Sequence, residues 1–248
     1  MRTPARRRPW AFAVAFVIAI SCLISGCVPE SGTAVPVTLG AELPASATPS
    51  PPSRAPLVMI IGDSFTVGSG PVQGWDGYAA QVARQLGWQL ITAGAAGTGF
   101  VNPGRVDRTF QQSFVKELSW RPEPDLLIIS GGRNDRRIGA ARIEGAAVRL
   151  LELVRRWWPH TRIVLVGPIW MTRAPRWAYR VREAVSTAAD RLEVPFLDPF
   201  EPLGPYGRGW GRGAVLPDGV HPTLVGHLRL SRWMVTRLHE YGIEARPL

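Results

Sequence analysis

Apolar and polar positions change their rhythm several times along the chain. Leu57-Val58-Met59-Ile60-Ile61 is an unbroken apolar run that stops at a glycine, as a strand buried on both faces does. Asp125–Ser130 and Arg162–Val166 repeat that pattern, and Trp88–Ala93 and Val194–Leu197 are shorter versions of it, so five strands are predicted. Between them the spacing turns helical. Around Asp76–Leu86, Tyr78, Ala79, Val82, Ala83 and Leu86 recur at three and four positions. Over residues 140–158, Ile143, Ala146, Ala147, Leu150, Leu151 and Val154 make one stripe; residues 176–192 and Thr223–Tyr241 are also predicted helical. Strands alternating with helices predict an α/β domain, a parallel sheet covered on both faces, over residues 56–248. Such sheets bind ligands beyond the carboxyl ends of their strands. The chain places its unusual residues there: Gly62-Asp63-Ser64 after strand one, Gly94 to Gly99 after strand two, Gly132 to Asp135 after strand three.

The N-terminus follows a different logic. Arg2, Arg6, Arg7 and Arg8 precede an apolar run from Trp10 to Ile20 and a small-residue end, the pattern of an export signal. The apolar stretch is shorter than the ~20 residues that cross a bilayer. Leu23-Ile24-Ser25-Gly26-Cys27 resembles the lipobox of bacterial lipoproteins, which implies cleavage after residue 26 and a lipid anchor on Cys27. An ordinary cleaved signal or a spanning anchor is the alternative. The expected location is the outer face of a bacterial cell membrane, facing the envelope or the exterior. Cys22 would leave with the signal and Cys27 would carry lipid, so the mature monomer would hold no disulfide. Residues 28–55 are rich in Pro, Ala, Ser and Thr with few large apolar side chains, and read as a tether (residues 27–55 with the cysteine).

Composition narrows the classes further. With 248 residues and 46% hydrophobic residues, the chain can bury a substantial core without disulfides or metals. Its net charge is +10, but removing the signal with its four arginines leaves 25 basic against 19 acidic side chains. The remaining arginines are scattered and Lys116 is the single lysine, so nothing points to nucleic acid.

Four motifs carry candidate chemistry. Ser64 follows a strand directly, where its hydroxyl can be exposed and the N–H groups of a helix start favour an anion; Asp and Ser are equally ordinary as turn and cap residues. Asp218-Gly219-Val220-His221 lies before the last helix, where a carboxylate can hold an imidazole in one tautomer, or merely cap the helix. Asn134, just past the third strand, can aim an amide into the cleft as an oxyanion donor. The loop Ala93-Gly94-Ala95-Ala96-Gly97-Thr98-Gly99 lets backbone N–H groups approach a substrate, and its glycine spacing is that of neither a dinucleotide nor a P-loop motif. His160, His227 and His239 read as surface or packing residues.

In this order the motifs resemble the SGNH (GDSL-type) hydrolase family over about residues 57–241. The resemblance implies a three-layer α/β/α fold with a five-stranded parallel sheet in the flavodoxin-like order 2-1-3-4-5. It implies Ser64 as nucleophile, His221 as general base and Asp218 as its orienter. The oxyanion hole would be the Ser64 N–H, the Gly97 N–H and the Asn134 amide, with Gly99 the alternative glycine. Phe65 stands where the family usually has leucine, and Thr92 or Ala93 where an asparagine often precedes the glycine loop. Acyl transfer through an ester on Ser64 needs no cofactor and no metal.

Two long loops, residues 168–177 and 200–214, are expected to shape the pockets. Trp170, Trp177, Tyr206 and Trp210 are candidates for sugar stacking or an acyl site, and Arg133, Arg173 and Arg176 for an acidic or phosphorylated group; each is equally well a structural loop residue. The expected partner is a small acyl ester, or an acylated glycan or lipid of the envelope carrying a short-chain or acetyl group, acted on by a monomer. A glycan-binding lipoprotein on a decayed hydrolase fold and an acyltransferase using a sugar hydroxyl are the competing classes.

Overall fold

The third apolar run becomes β3 (Leu126–Ser130), at the centre of a five-stranded sheet. The computed structural model describes residues 54–68, 71–201 and 210–247. The signal segment, Cys27, nearly all of the tether and Tyr206 lie outside the described residues. Beside β3 run β1 (Leu57–Gly62) and β4 (Arg162–Val166), with β2 (Gln89–Gly94) and β5 (Phe196–Leu197) at the edges. All pairings are parallel and the order is β2-β1-β3-β4-β5, as the resemblance implied. Gly62 is in register with Gly94 on one side and Ser130 on the other, so the loops leaving β1, β2 and β3 emerge together at one sheet edge.

The helices are α1 (Ser64–Val67), α2 (Tyr78–Leu86), α3 (Phe110–Ser113, continuing as a π turn over Phe114–Leu118), α4 (Ala140–Trp157), α5 (Arg176–Arg191) and α6 (Leu224–Glu240). Alternate strand residues face opposite layers. Met59, Ile61, Leu127, Ile129 and Leu165 pack against α3, α4 and α5, where Phe110, Phe114, Ile143, Leu151 and Val185 are buried. Val58, Ile60, Ile128 and Val164 face α2 and α6, meeting Tyr78, Val82, Leu230, Met234 and Leu238. Every member of the apolar stripe predicted on α4 is buried. No helix of the described residues is long and apolar enough to cross a membrane.

Three sequence expectations are adjusted. The α2 segment begins at Tyr78, because Gly77 is extended and Gly74–Asp76 forms a separate 3₁₀ turn. The fifth strand shrinks to two residues, since Pro195 has no N–H for a ladder and contributes only its carbonyl, to Leu165 N. The α3 segment was not foreseen. Its signals are present in the sequence: Thr109 and Gln112 form a capping box, and Phe110, Phe114 and Leu118 recur every four residues.

A polar thread joins the α2–α6 layer to the sheet. His227 on α6 is buried, accepts the Tyr78 N–H at its Nδ1 (3.1 Å) and stacks on the Tyr78 ring. The Tyr78 hydroxyl bonds Ser130 and Thr66, both at 2.9 Å. Burial, with a smaller push from the His221 charge, lowers the His227 imidazole from the usual 6.5 to about 4. Between these values the unfolded chain binds the extra proton, so the stability His227 contributes is lost as pH falls from 6.5 towards 4. His227→Asn keeps an acceptor for Tyr78 N–H but cannot titrate. Its stability deficit relative to the wild type should therefore narrow by about 3 kcal/mol between pH 7 and pH 4 in denaturant titrations; a constant deficit would show that the buried imidazole does not titrate this way.

Candidate functional site

The turn after β1 turns sharply into α1. Asp63 caps this short helix, its Oδ1 accepting from Phe65 N at 3.0 Å, and Ser64 is the first helical residue. The Ser64 N–H thus lies ahead of the helix's own hydrogen bonds. On the far side of the cleft, Val215 and Pro222 form an antiparallel bridge, and Leu216 N bonds the His221 carbonyl. This closes the loop carrying Asp218 and His221 just before α6. Asp218 Oδ1 accepts from Val220 N (2.8 Å) and His221 N (3.0 Å), leaving Oδ2 free to meet His221 Nδ1 at 2.6 Å. His221 Nε2 lies 3.0 Å from Ser64 Oγ. Residues 157 positions apart are thereby brought into one relay.

Burial alone would raise the Asp218 carboxyl. The hydrogen bonds from His221 and from the Val220 and His221 backbone outweigh it and hold the group at about 2. Asp218 is therefore ionised at any working pH. Asp63 behaves oppositely: burial pushes it from 3.8 up to about 6, against the Phe65 N–H and the charges of Arg133 and His221. The stability it contributes is full below 3.8 and is lost as pH rises through about 6, a slope opposite to that of His227.

Asn134 sits in a 3₁₀ turn (Arg133–Asp135) after β3, and its amide lines the same cleft as Ser64. Its Nδ2 donates to the Thr98 carbonyl at 2.9 Å and, more weakly, to Asp63 Oδ2 at 3.2 Å. Gly97 also lines the cleft, at a φ of 81° that favours glycine. Gly99 faces elsewhere. Its N–H donates to the Asn102 carbonyl, and a Cβ there would stand 2.5 Å from Asp135 Oδ2.

That close approach identifies a residue to which sequence reasoning gave no role. The Asp135 carboxylate is fully buried and accepts three successive backbone N–H groups, from Phe100 (2.9 Å), Val101 (3.0 Å) and Asn102 (2.7 Å). Asn102 in turn bonds the Asn134 carbonyl (2.9 Å) and Gly104 N (3.1 Å). The loop after β2 is thus tied to the turn after β3, and Gly97 and Asn134 line the same cleft as Ser64. The Asn-Asp pair after a central strand was the visible signal; the three loop N–H groups it serves were not.

The cleft has a volume of about 550 Å³. Of the four aromatic candidates, Trp177 lines it. Trp170 and Trp210 are instead buried packing residues, joined by a 2.7 Å bond from Trp210 Nε1 to the Trp170 carbonyl. Arg133 lines the cleft, whereas Arg173 and Arg176 are exposed and outside it. Arg105 and Arg136 take part instead, and neither was singled out from the sequence. Among the described residues, no three His, Cys, Asp or Glu side chains converge as a metal site needs.

Residues 60–229 match the GDSL-like lipase/acylhydrolase family. The chain belongs to that family. No curated protein matches it. Among solved structures it resembles a salicylyl-acyltransferase, SsfX3, from a tetracycline biosynthetic pathway (22% identity, TM-score 0.63), over 79% of this chain and 58% of that one. A family two carbohydrate esterase from Clostridium thermocellum is similar at 18% identity and TM-score 0.60, over 79% of this chain and 66% of that one. TesA is similar at 19% identity and TM-score 0.59, over 74% and 98%. At these identities the likeness establishes the fold alone.

Proposed function

We propose that this family member is an exported serine esterase that cleaves short-chain acyl esters through an acyl-enzyme on Ser64. The observation that carries the reading is the Asp218–His221–Ser64 relay, with contacts of 2.6 and 3.0 Å, opening on a cleft. His221 Nε2 takes the Ser64 proton as Oγ attacks the ester carbon, and ionised Asp218 holds Nδ1–H and the growing imidazolium charge. The oxyanion turns to the Ser64 N–H, the Gly97 N–H and the Asn134 amide, drawing the amide from its longer contact with Asp63. Gly97 fits this role better than Gly99, whose N–H is engaged by Asn102. Collapse expels the alcohol, which takes the proton from His221. Water then gives a proton to His221 and attacks the acyl carbon, and Ser64 leaves with its proton restored.

Export and anchoring rest on the first 27 residues: the arginine head, the apolar run and the lipobox ending in Cys27. Envelope glycans or lipids bearing acetyl or other short acyl groups are the substrates this location offers. The chemistry is tested by incubating the purified protein with an acyl-ester panel, with and without a fluorophosphonate; no hydrolysis of any ester would overturn it. The anchor is tested in a bacterial host with a fatty-acid probe. Labelling is expected in the full chain and lost in Cys27→Ala; labelling that persists in the variant would refute lipidation at that cysteine.

A further inference from the structure

The cleft beside Ser64 carries an unusual charge. Arg105, Arg133 and Arg136 line it and, among the described residues, no aspartate or glutamate does. They come from two loops: Arg105 from the segment after β2 and the other two from the turn after β3. Among the described residues none of the three makes an ion pair or a side-chain hydrogen bond, although arginines elsewhere on the chain are paired, as Arg54 with Asp125 and Arg182 with Asp198. Arg133 is half-buried and its guanidinium lies 3.7 Å over the Trp170 ring, which fixes its position. The charges of Asp63 and Asp218 favour the Arg133 cation, while that of Arg136 opposes it. Both carboxylates are already committed, Asp63 to Phe65 N and Asn134 and Asp218 to His221. Arg105 and Arg136 are exposed at the rim with their donors open. Three guanidinium groups lining one cleft, none held in an ion pair among the described residues, form a receptor for an oxyanion, and their forked donors suit carboxylate and phosphate alike.

We infer that the ester cleaved here carries an anionic group, a carboxylate or a phosphate, which Arg105, Arg133 and Arg136 bind while the ester carbonyl meets Ser64. The inference rests on the esterase reading and adds the substrate class to it. Steering by the same field raises the encounter rate of anionic esters and fades with salt.

The test compares acetate release from two matched pairs: acetylglycerol 3-phosphate against acetylglycerol, and O-acetyl-lactate against O-acetyl-lactamide. At low ionic strength kcat/KM should favour the charged member of at least one pair by about tenfold or more, chiefly through KM. The pair showing the preference tells phosphate from carboxylate. The double variant Arg105→Gln/Arg136→Gln should bring the charged-to-neutral ratio close to one. These two side chains are exposed, so the fold tolerates their loss better than that of Arg133 against Trp170. Arg173→Gln, outside the cleft, should keep the wild-type ratio. Equal cleavage of both members of both pairs, or a ratio unmoved in the double variant, would overturn the inference and leave the esterase standing. No cleavage of any of the four, with no fluorophosphonate adduct on Ser64, would overturn the esterase reading and this inference with it.

Discussion

Ser64→Ala should reduce kcat/KM for any ester the protein cleaves by about 10⁴–10⁶-fold, the usual scale for losing a nucleophile from a coupled relay. The change removes one oxygen from a buried side chain at the start of α1 and leaves the Asp63 cap and the bond from Phe65 N in place. The thermal midpoint should therefore move little, so a folding defect is separable from a chemical one. Mass spectrometry after fluorophosphonate treatment should find one adduct, on the peptide containing Ser64, and none in Ser64→Ala. His221 supplies the reason for selectivity. Its Nε2 faces Ser64 Oγ at 3.0 Å, whereas the buried hydroxyls of Thr66 and Ser130 bond the Tyr78 hydroxyl. An adduct on another residue of an ester-active preparation would remove Ser64 from the mechanism.

The sheet was legible because buried parallel strands write themselves as continuous apolar runs, and β1, β3 and β4 are of that kind. Edge strands are less distinct. The limits of β2 moved by one residue, and β5 lost its first half to a proline whose effect depends on which neighbour the strand has. The α3 segment escaped because Lys116 and Glu117 interrupt a four-residue spacing that a π turn accommodates better than a regular helix. Of the site, the ordered motifs marked Ser64, Asn134, Asp218 and His221, which share one cleft or one relay. What they did not mark was support and charge. Asp135 acts through backbone N–H groups 33 to 35 residues away, which leave no residue-type signature. Arg105 and Arg136 look like scattered surface arginines until the fold folds two loops over one cleft. The aromatic candidates failed in the other direction. Trp170 and Trp210 lie on loops but pack into the core, because a parallel sheet this small needs its connecting segments to cover the β4–β5 end.

Asp218→Asn should cost nearly as much as loss of the nucleophile, about 10⁴-fold in kcat/KM, while leaving the fold intact. The asparagine keeps an oxygen for the N–H groups of Val220 and His221, so the turn before α6 is preserved. Its amide nitrogen then stands where Asp218 Oδ2 now meets His221 Nδ1 at 2.6 Å. An N–H aimed at Nδ1 favours the tautomer that is protonated at Nε2. That nitrogen would then donate to Ser64 Oγ instead of taking its proton, and the imidazolium of the transition state would lose its counter-charge. Asp218 is held at about 2, so the wild type keeps the ionised carboxylate from mildly acid to alkaline pH. Activity lost on mild acidification therefore does not report protonation of Asp218. The rate of fluorophosphonate labelling of Ser64 should fall in parallel with kcat/KM in the variant, since both need the proton removed from Oγ. The side chain of Asp218 is 45% exposed, so the thermal midpoint should change by little. A loss of less than tenfold, with labelling undiminished, would mean that this carboxylate serves only to shape the loop and that His221 is oriented without it.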